Sequence, residues 1–152
     1  MESSAFSGAQ MKTAAQLLKL KSPGVVAIAP GATALEALKL LAEKNVGAVL
    51  VMDGTRLVGV FSERDYTRKV ASKGDPLAST PVRELMTRDV VFVTPTHTNE
   101  ECMALMTDKR IRHLPVVAND QVIGVLSIGD LVKDIISEQQ FIISQLENYI
   151  HR

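Results

Sequence analysis

The sequence predicts an α/β (α+β) fold in which one β-α-β-β-α unit is used twice. Three observations carry this: an internal repeat at a constant offset of 65 residues, matching helix-start signatures in both copies, and ordinary globular composition. Residues 25–66 fall on residues 90–131 without a gap. Val25, Val26, Pro30, Thr33, Glu36, Leu40, Lys44, Val51, Gly59, Val60, Ser62 and Asp65 are identical to their partners. Apolar residues exchange at Leu38/Met103, Val46/Ile111 and Phe61/Leu126. Self-similarity at a fixed period marks a duplicated structural unit. A copy of roughly 60 residues buries little surface alone, so the two are expected to pack face to face.

Each copy reads the same way along the chain. A short apolar run, Val25–Ala29 or Val90–Thr94, ends at a proline and reads as a strand. Thr33-Ala-Leu-Glu36 and Thr98-Asn-Glu-Glu101 are capping-box signatures for a helix. Ala34, Ala37, Leu38 and Leu41 then share one helical face. Two apolar runs follow, Ala48–Met52 with Leu57–Phe61, and Leu114–Ala118 with Val122–Leu126. The turns between them, Asp53-Gly54 and Asn119-Asp120, predict hairpins. Ser62-Glu-Arg-Asp65 and Ser127-Ile-Gly-Asp130 open a second helix in each copy. The expected organisation is a tail over 1–11, repeat 1 over 12–71, a Gly/Pro/Ser-rich linker over 72–81, repeat 2 over 82–136 and a C-terminal amphipathic helix over 137–152.

Composition limits function. Of 152 residues, 46% are hydrophobic and 22% charged, which excludes a disordered chain. Lys+Arg and Asp+Glu both number 17, so there is no broad cationic field for nucleic acid or an anionic membrane, and neither is expected as a partner. No apolar run approaches the roughly 18 residues that span a bilayer. The N-terminal MESSAFSGAQ lacks the basic and apolar regions of a secretory signal. The single cysteine, Cys102, allows no intrachain disulfide framework and suits a reducing compartment, so a cytoplasmic location is expected. Cys102 aligns with Ala37 on the apolar helix face and reads as a small buried hydrophobe, with Met103 and Met106 beside it. Three scattered histidines and one cysteine do not make a metal site. His97, in a loop, and His151, in the tail, read as surface residues. Phosphate-loop, dinucleotide-turn and nucleophile-elbow motifs are absent, and no catalytic residues are assigned.

The markers GVFSERD (59–65), GVLSIGD (124–130), RHLPVV (112–117) and ELMT (84–87) resemble those of a pair of cystathionine-β-synthase (CBS) domains, a Bateman module. The resemblance covers about residues 12–136. It implies two repeats related by a pseudo-twofold axis, and a regulatory rather than catalytic module. It also implies that adenosine-containing ligands (AMP, ADP, ATP, S-adenosylmethionine or NAD) bind in two clefts between the repeats. Pairing of two such modules into a homodimer, and signalling to an unknown target protein, are further implications.

By motif position, the resemblance assigns one cleft to Ser62, Arg64, Asp65, Thr87, Phe92, Arg112 and His113. Here a short carboxylate can accept both hydroxyls of a ribose, and guanidinium groups can hold phosphate. The other cleft takes Lys21, Ser22, Ala27, Gly47, Ala48, Ser127 and Asp130. Gly47 and Ala48 stand where the first cleft has Arg112 and His113, so a weaker or different site is expected there, with Lys21 as a compensating cation. Plainer readings stand beside these. Ser-x-x-Asp is also a helix cap with an acid in the first turn. Arg64 also reads as a solvated cation, and His113 as a packed residue. The functional expectation is an adenine-nucleotide sensor, with a ligand-free protein–protein assembly module as the alternative and a small nucleotide-processing enzyme third.

Overall fold

The computed structural model describes residues 12–73 and 78–150. The expected tail over 1–11, positions 74–77 of the expected linker and His151 lie outside them. In chain order the elements are α1 (Ala14–Leu18), β1 (Ala27–Ile28), α2 (Ala34–Lys44), β2 (Ala48–Asp53), β3 (Arg56–Ser62), α3 (Glu63–Lys73), a 3-10 turn (Val82–Glu84), α4 (Asn99–Lys109), β4 (His113–Ala118), β5 (Gln121–Ser127) and α5 (Ile128–Ile150). The duplicated α+β unit is therefore present.

The described residues divide into two compact units whose borders are not those of the sequence repeats. One unit contains 24–73, 78–91 and 119–123; the other contains 12–23, 92–118 and 124–150. The segment that leads into each repeat thus belongs to the unit built on the other repeat. Sequence order alone cannot give this, because a lead-in helix can dock on any complementary apolar groove.

In the first-repeat unit, β1 runs parallel to β2, and β2 pairs antiparallel with β3 from Ala48↔Ser62 to Asp53↔Arg56. Thr33 and Glu36 form the reciprocal capping box at the start of α2. Asn45, at φ 54°, closes that helix in the left-handed conformation. Ala34, Ala37 and Leu41 pack with Val49, Val51 and Phe61, and the lead-in residues Val82, Leu85 and Met86 complete the core. Thr33 and Pro81 form an antiparallel bridge, and Val82 N donates to Ala32 O at 2.7 Å.

The second-repeat unit repeats this plan with exchanged parts. Thr98 and Glu101 cap α4, and the buried residues Cys102, Met106, Leu114, Val116 and Leu126 stand where the first unit has Ala37, Leu41, Val49, Val51 and Phe61. Ala14 and Leu17 of α1 are buried. Cys102 is fully enclosed, and burial, helped by the Glu101 charge, pushes its thiol up to about 11, the behaviour of a structural residue. The hairpin between β4 and β5 turns on Asn119 (φ 52°) and Asp120 (φ 63°), the two positive angles of a tight hairpin turn.

Three expectations need correction. The run Val90–Thr94 is not a strand; it makes only a parallel bridge, Val93↔Val116. In the first unit Leu50 N donates to Val26 O at 3.0 Å. Pro115 occupies the position matched to Leu50 and has no N–H to give. The tail is not a separate helix over 137–152: α5 is continuous from Ile128 to Ile150, since no Gly or Pro interrupts it after Gly129. His97, read as surface, is half-buried, and its Nδ1 accepts from Thr94 N at 3.0 Å.

Candidate functional site

Each repeat passes from its last strand into its second helix through the same device. Ser62 N and Oγ donate to Asp65 Oδ2 at 2.9 and 3.0 Å, and Asp65 N donates back to Ser62 Oγ at 3.2 Å. Ser127 and Asp130 repeat these bonds at 2.8, 3.0 and 3.3 Å. The helix-cap reading is thus realised at both Ser-x-x-Asp motifs. The first N–H of each helix is also satisfied alike: Glu63 N donates to Gly47 O at 3.2 Å, and Ile128 N to Arg112 O at 2.9 Å.

The third partner of each aspartate differs. Thr87 Oγ1 donates to Asp65 Oδ1 at 2.9 Å. Thr87 is positioned by the sheet, since its N–H and C=O exchange bonds with Val60 O and N at 2.8 and 3.0 Å. In the other unit Lys21 Nζ donates to Asp130 Oδ2 at 2.8 Å and to Val125 O at 2.6 Å. Val125 is the repeat partner of Val60, so an ammonium takes the carbonyl that a backbone N–H takes in the first unit. Burial works to raise the Asp130 pKa, but the Lys21 hydrogen bond and charge, with the Ser127 bonds, outweigh it and hold it below the usual value.

Matched glycines let the lead-in segments approach. A Cβ on Gly59 would strike Met86 Sδ and lie 3.0 Å from Thr87 O; one on Gly124 would lie 2.6 Å from Leu18 Cδ2. The glycines are 65 residues apart, but Met86 and Leu18 are 68 apart (86 − 18). The position matched to Thr87 is therefore Lys19 (87 − 68), not Ser22, and the first lead-in carries three additional residues before its repeat begins. Ser22 is exposed.

The remaining sequence-assigned residues are distributed between the units. Arg64 is exposed on the first turn of α3. Ala27, exposed, is in β1; Gly47, just before β2, and Ala48, its first residue, are half-buried. In the other unit Phe92 is 52% exposed, Arg112 is exposed, and His113, half-buried, starts β4. Ser62, Asp65 and Thr87 form one bonded cluster; Lys21, Ser127 and Asp130 form another.

Sequence reasoning missed the groups that clasp the lead-in segments. Lys69 Nζ donates to Leu85 O at 2.8 Å and Met86 O at 3.1 Å. At the matched place in the second unit is Asp134, buried, which accepts from Lys12 Nζ at 3.0 Å and from Asn99 Nδ2 at 2.8 Å. Asn99 is fully buried where the first repeat has Ala34, and its Nδ2 also donates to Leu131 O at 3.0 Å. The one signal was that Ala34/Asn99 breaks an otherwise apolar match. Among the described residues no group of three or more His, Cys, Asp or Glu could hold a metal ion, and no helix is long and apolar enough to cross a membrane.

Two duplicated α+β units, each with an acid-capped second helix and a lead-in segment on a glycine-bearing strand, define a tandem pair of α+β modules. The CBS domain profile matches residues 18–72 and 82–137, and the chain belongs to the CBS-domain family. A crystal structure of a CBS domain, NE2398, is 50% identical, with a TM-score of 0.80, and the match covers 84% of this chain and 99% of that one. The mitochondrial CBS domain-containing protein CBSX3 of Arabidopsis thaliana is 38% identical over 123 residues, 78% of this chain and 60% of that protein, so the chain spans under two thirds of that relative's length. The CBS domain protein PAE2072 of Pyrobaculum aerophilum, solved in complex with AMP, is 27% identical, with a TM-score of 0.70 and coverage of 82% of this chain and 98% of that one.

Proposed function

We propose that this CBS pair senses an adenine nucleotide and passes the bound state to a target protein. The observation that carries the reading is the Asp65 cluster. Its carboxylate is fixed by Ser62 and Thr87, which are neutral donors, so its negative charge is not cancelled within the cluster. A carboxylate accepts about four hydrogen bonds; Ser62 N, Ser62 Oγ and Thr87 Oγ1 supply three to Asp65, and a charge-assisted bond from a ribose hydroxyl in the remaining place contributes roughly 1.5–3 kcal/mol. Arg64, in the same unit, is an exposed guanidinium suited to phosphate. The AMP complex of the PAE2072 protein supports the ligand class. The second set, around Asp130, is the weaker site, because Lys21 already neutralises its acid.

Signalling then follows from population shift: the ligand must bind one conformation better than another, and the difference in affinity sets the size of the response. Isothermal calorimetry with AMP, ATP and NAD tests this. Saturable binding weakened at least tenfold by Asp65→Ala, and less by Asp130→Ala, is expected. No heat with any of the three would leave the assembly-module reading. Release of hydrolysed product during titration would point to an enzyme.

A further inference from the structure

The first lead-in segment is held by a cluster that leaves one acid oxygen without a donor. Asn99 N donates to Lys12 O at 2.9 Å, Ala14 N donates to His97 O at 2.7 Å, and Thr13 bridges Thr98. Lys12 Nζ donates to Asp134 Oδ1 at 3.0 Å, and Asn99 Nδ2 to Asp134 Oδ2 at 2.8 Å. Asp134 is 4% exposed. Glu138 follows four residues later, on the same face of α5. Its Oε1 is enclosed and, among the described residues, has no hydrogen-bond partner; the same holds for Oδ1 of the fully buried Asn99. An enclosed carboxylate oxygen without a donor carries the full cost of its lost water, whereas a protonated carboxyl is neutral and has an O–H to give. The charged groups that act on Glu138 are Asp134 of its own helix and Lys12 from the segment before α1; α4 contributes the uncharged Asn99. One ammonium therefore faces two carboxylates. Burial raises the Glu138 pKa, the Asp134 charge raises it further, and Lys12 opposes both without cancelling them.

We propose that Glu138 is a proton-operated member of the clasp on the first lead-in segment. Protonated, it leaves Lys12 and Asp134 to pair undisturbed; ionised, it sets a second carboxylate against Asp134 and loosens the hold on Lys12. The sign follows from linkage. A folded pKa above the unfolded one means that the contribution of Glu138 to stability is fully present below the unfolded value and is lost as pH rises through the folded value. Asp130, in the same unit, has the opposite sign. The lead-in segment is thus held more firmly in mild acid, by a group that the nucleotide reading does not use.

The test is urea unfolding and amide hydrogen exchange of the full chain, without nucleotide, from about pH 4 to about pH 8. E138Q is the variant, since its amide stays neutral and brings a donor to the enclosed place. E147Q, which removes a charge from an exposed position of α5, is the control. The difference in stability between E138Q and the wild type grows in favour of E138Q as pH rises, and E147Q tracks the wild type. Protection of the Asn99 and Ala14 amides, corrected for intrinsic exchange, falls with rising pH in the wild type and not in E138Q. Carboxyl NMR places the Glu138 midpoint above the ordinary glutamate value. A constant difference between E138Q and the wild type across the range overturns the proposal, as does an E138Q that is the less stable of the two at the alkaline end. A Glu138 midpoint at or below the ordinary value, or amide protection that falls equally in both proteins, overturns it too.

Discussion

Asp65 and Asp130 are reached by the same local structure and end in different electrostatic states. Both close a strand-to-helix junction through a serine three residues earlier. Asp65 then meets a threonine hydroxyl held by the strand, whereas Asp130 meets a lysine ammonium. The same divergence recurs one helical turn further on, where Lys69 grips lead-in carbonyls directly and Asp134 works through Lys12 and a buried asparagine. Duplication preserved the backbone and let the polar contacts drift apart. One unit fixes its acid with the neutral donors Ser62 and Thr87; the other uses its acids in internal ion pairs.

The largest effect is expected where that difference is most buried. Asp134→Ala strips Asn99 of its carboxylate partner and leaves Lys12 unpaired. A loss of about 2–3 kcal/mol in urea unfolding should follow. Lys69→Met in the other unit should cost less, since it takes a donor from two neutral carbonyls and strands no buried carboxylate partner. Equal losses would show that the two clasps are equivalent after all.

The matched glycines come next. Gly59→Ala and Gly124→Ala each force a lead-in segment outward, at about 1–3 kcal/mol. Gly59→Ala should be the worse, because its Cβ also meets the Thr87 backbone oxygen at 3.0 Å, whereas Gly124 faces only the flexible Leu18 side chain. Thermal melts of the two variants check the order.

Thr87→Val removes one hydroxyl donor from Asp65 and should cost at most about 1 kcal/mol in stability.

Lys21→Met has the smallest effect on stability near neutrality, under about 1 kcal/mol, because the pair is partly open to solvent. Its signature is in the pH dependence. A folded pKa below the unfolded value means that Asp130 contributes stability above the ordinary carboxylate range and loses it as pH falls through the folded value. Without Lys21, burial is the largest influence left, so the Asp130 midpoint followed by NMR should rise and its contribution to acid stability should shrink. A midpoint that does not move would mean that the Ser127 bonds alone hold the charge.

Much of this molecule was legible in the chain. The capping boxes at Thr33 and Thr98, the two hairpins and the Ser-x-x-Asp helix starts all depend on residues within a few positions of one another, and short-range hydrogen bonding fixes them wherever the chain folds. The strand expected at Val90–Thr94 failed for a reason visible only once its neighbour was known: Pro115, on another element, withholds the donor. Ser22 lost its match to Thr87 in the same way, because three additional residues in the first lead-in are invisible to an ungapped repeat and obvious once Leu18 and Met86 are seen over matched glycines.

By itself, then, the sequence determined the repeated unit, its turns and caps, and which acids open its second helices, because local hydrogen bonding and apolar periodicity act over a few residues. Only the tertiary structure decided which unit each lead-in segment joins and whether an aspartate meets a hydroxyl or an ammonium. Those choices depend on groups more than twenty residues away in the chain (Asp65 with Thr87) or more than a hundred (Asp130 with Lys21), brought together by packing that no local pattern encodes.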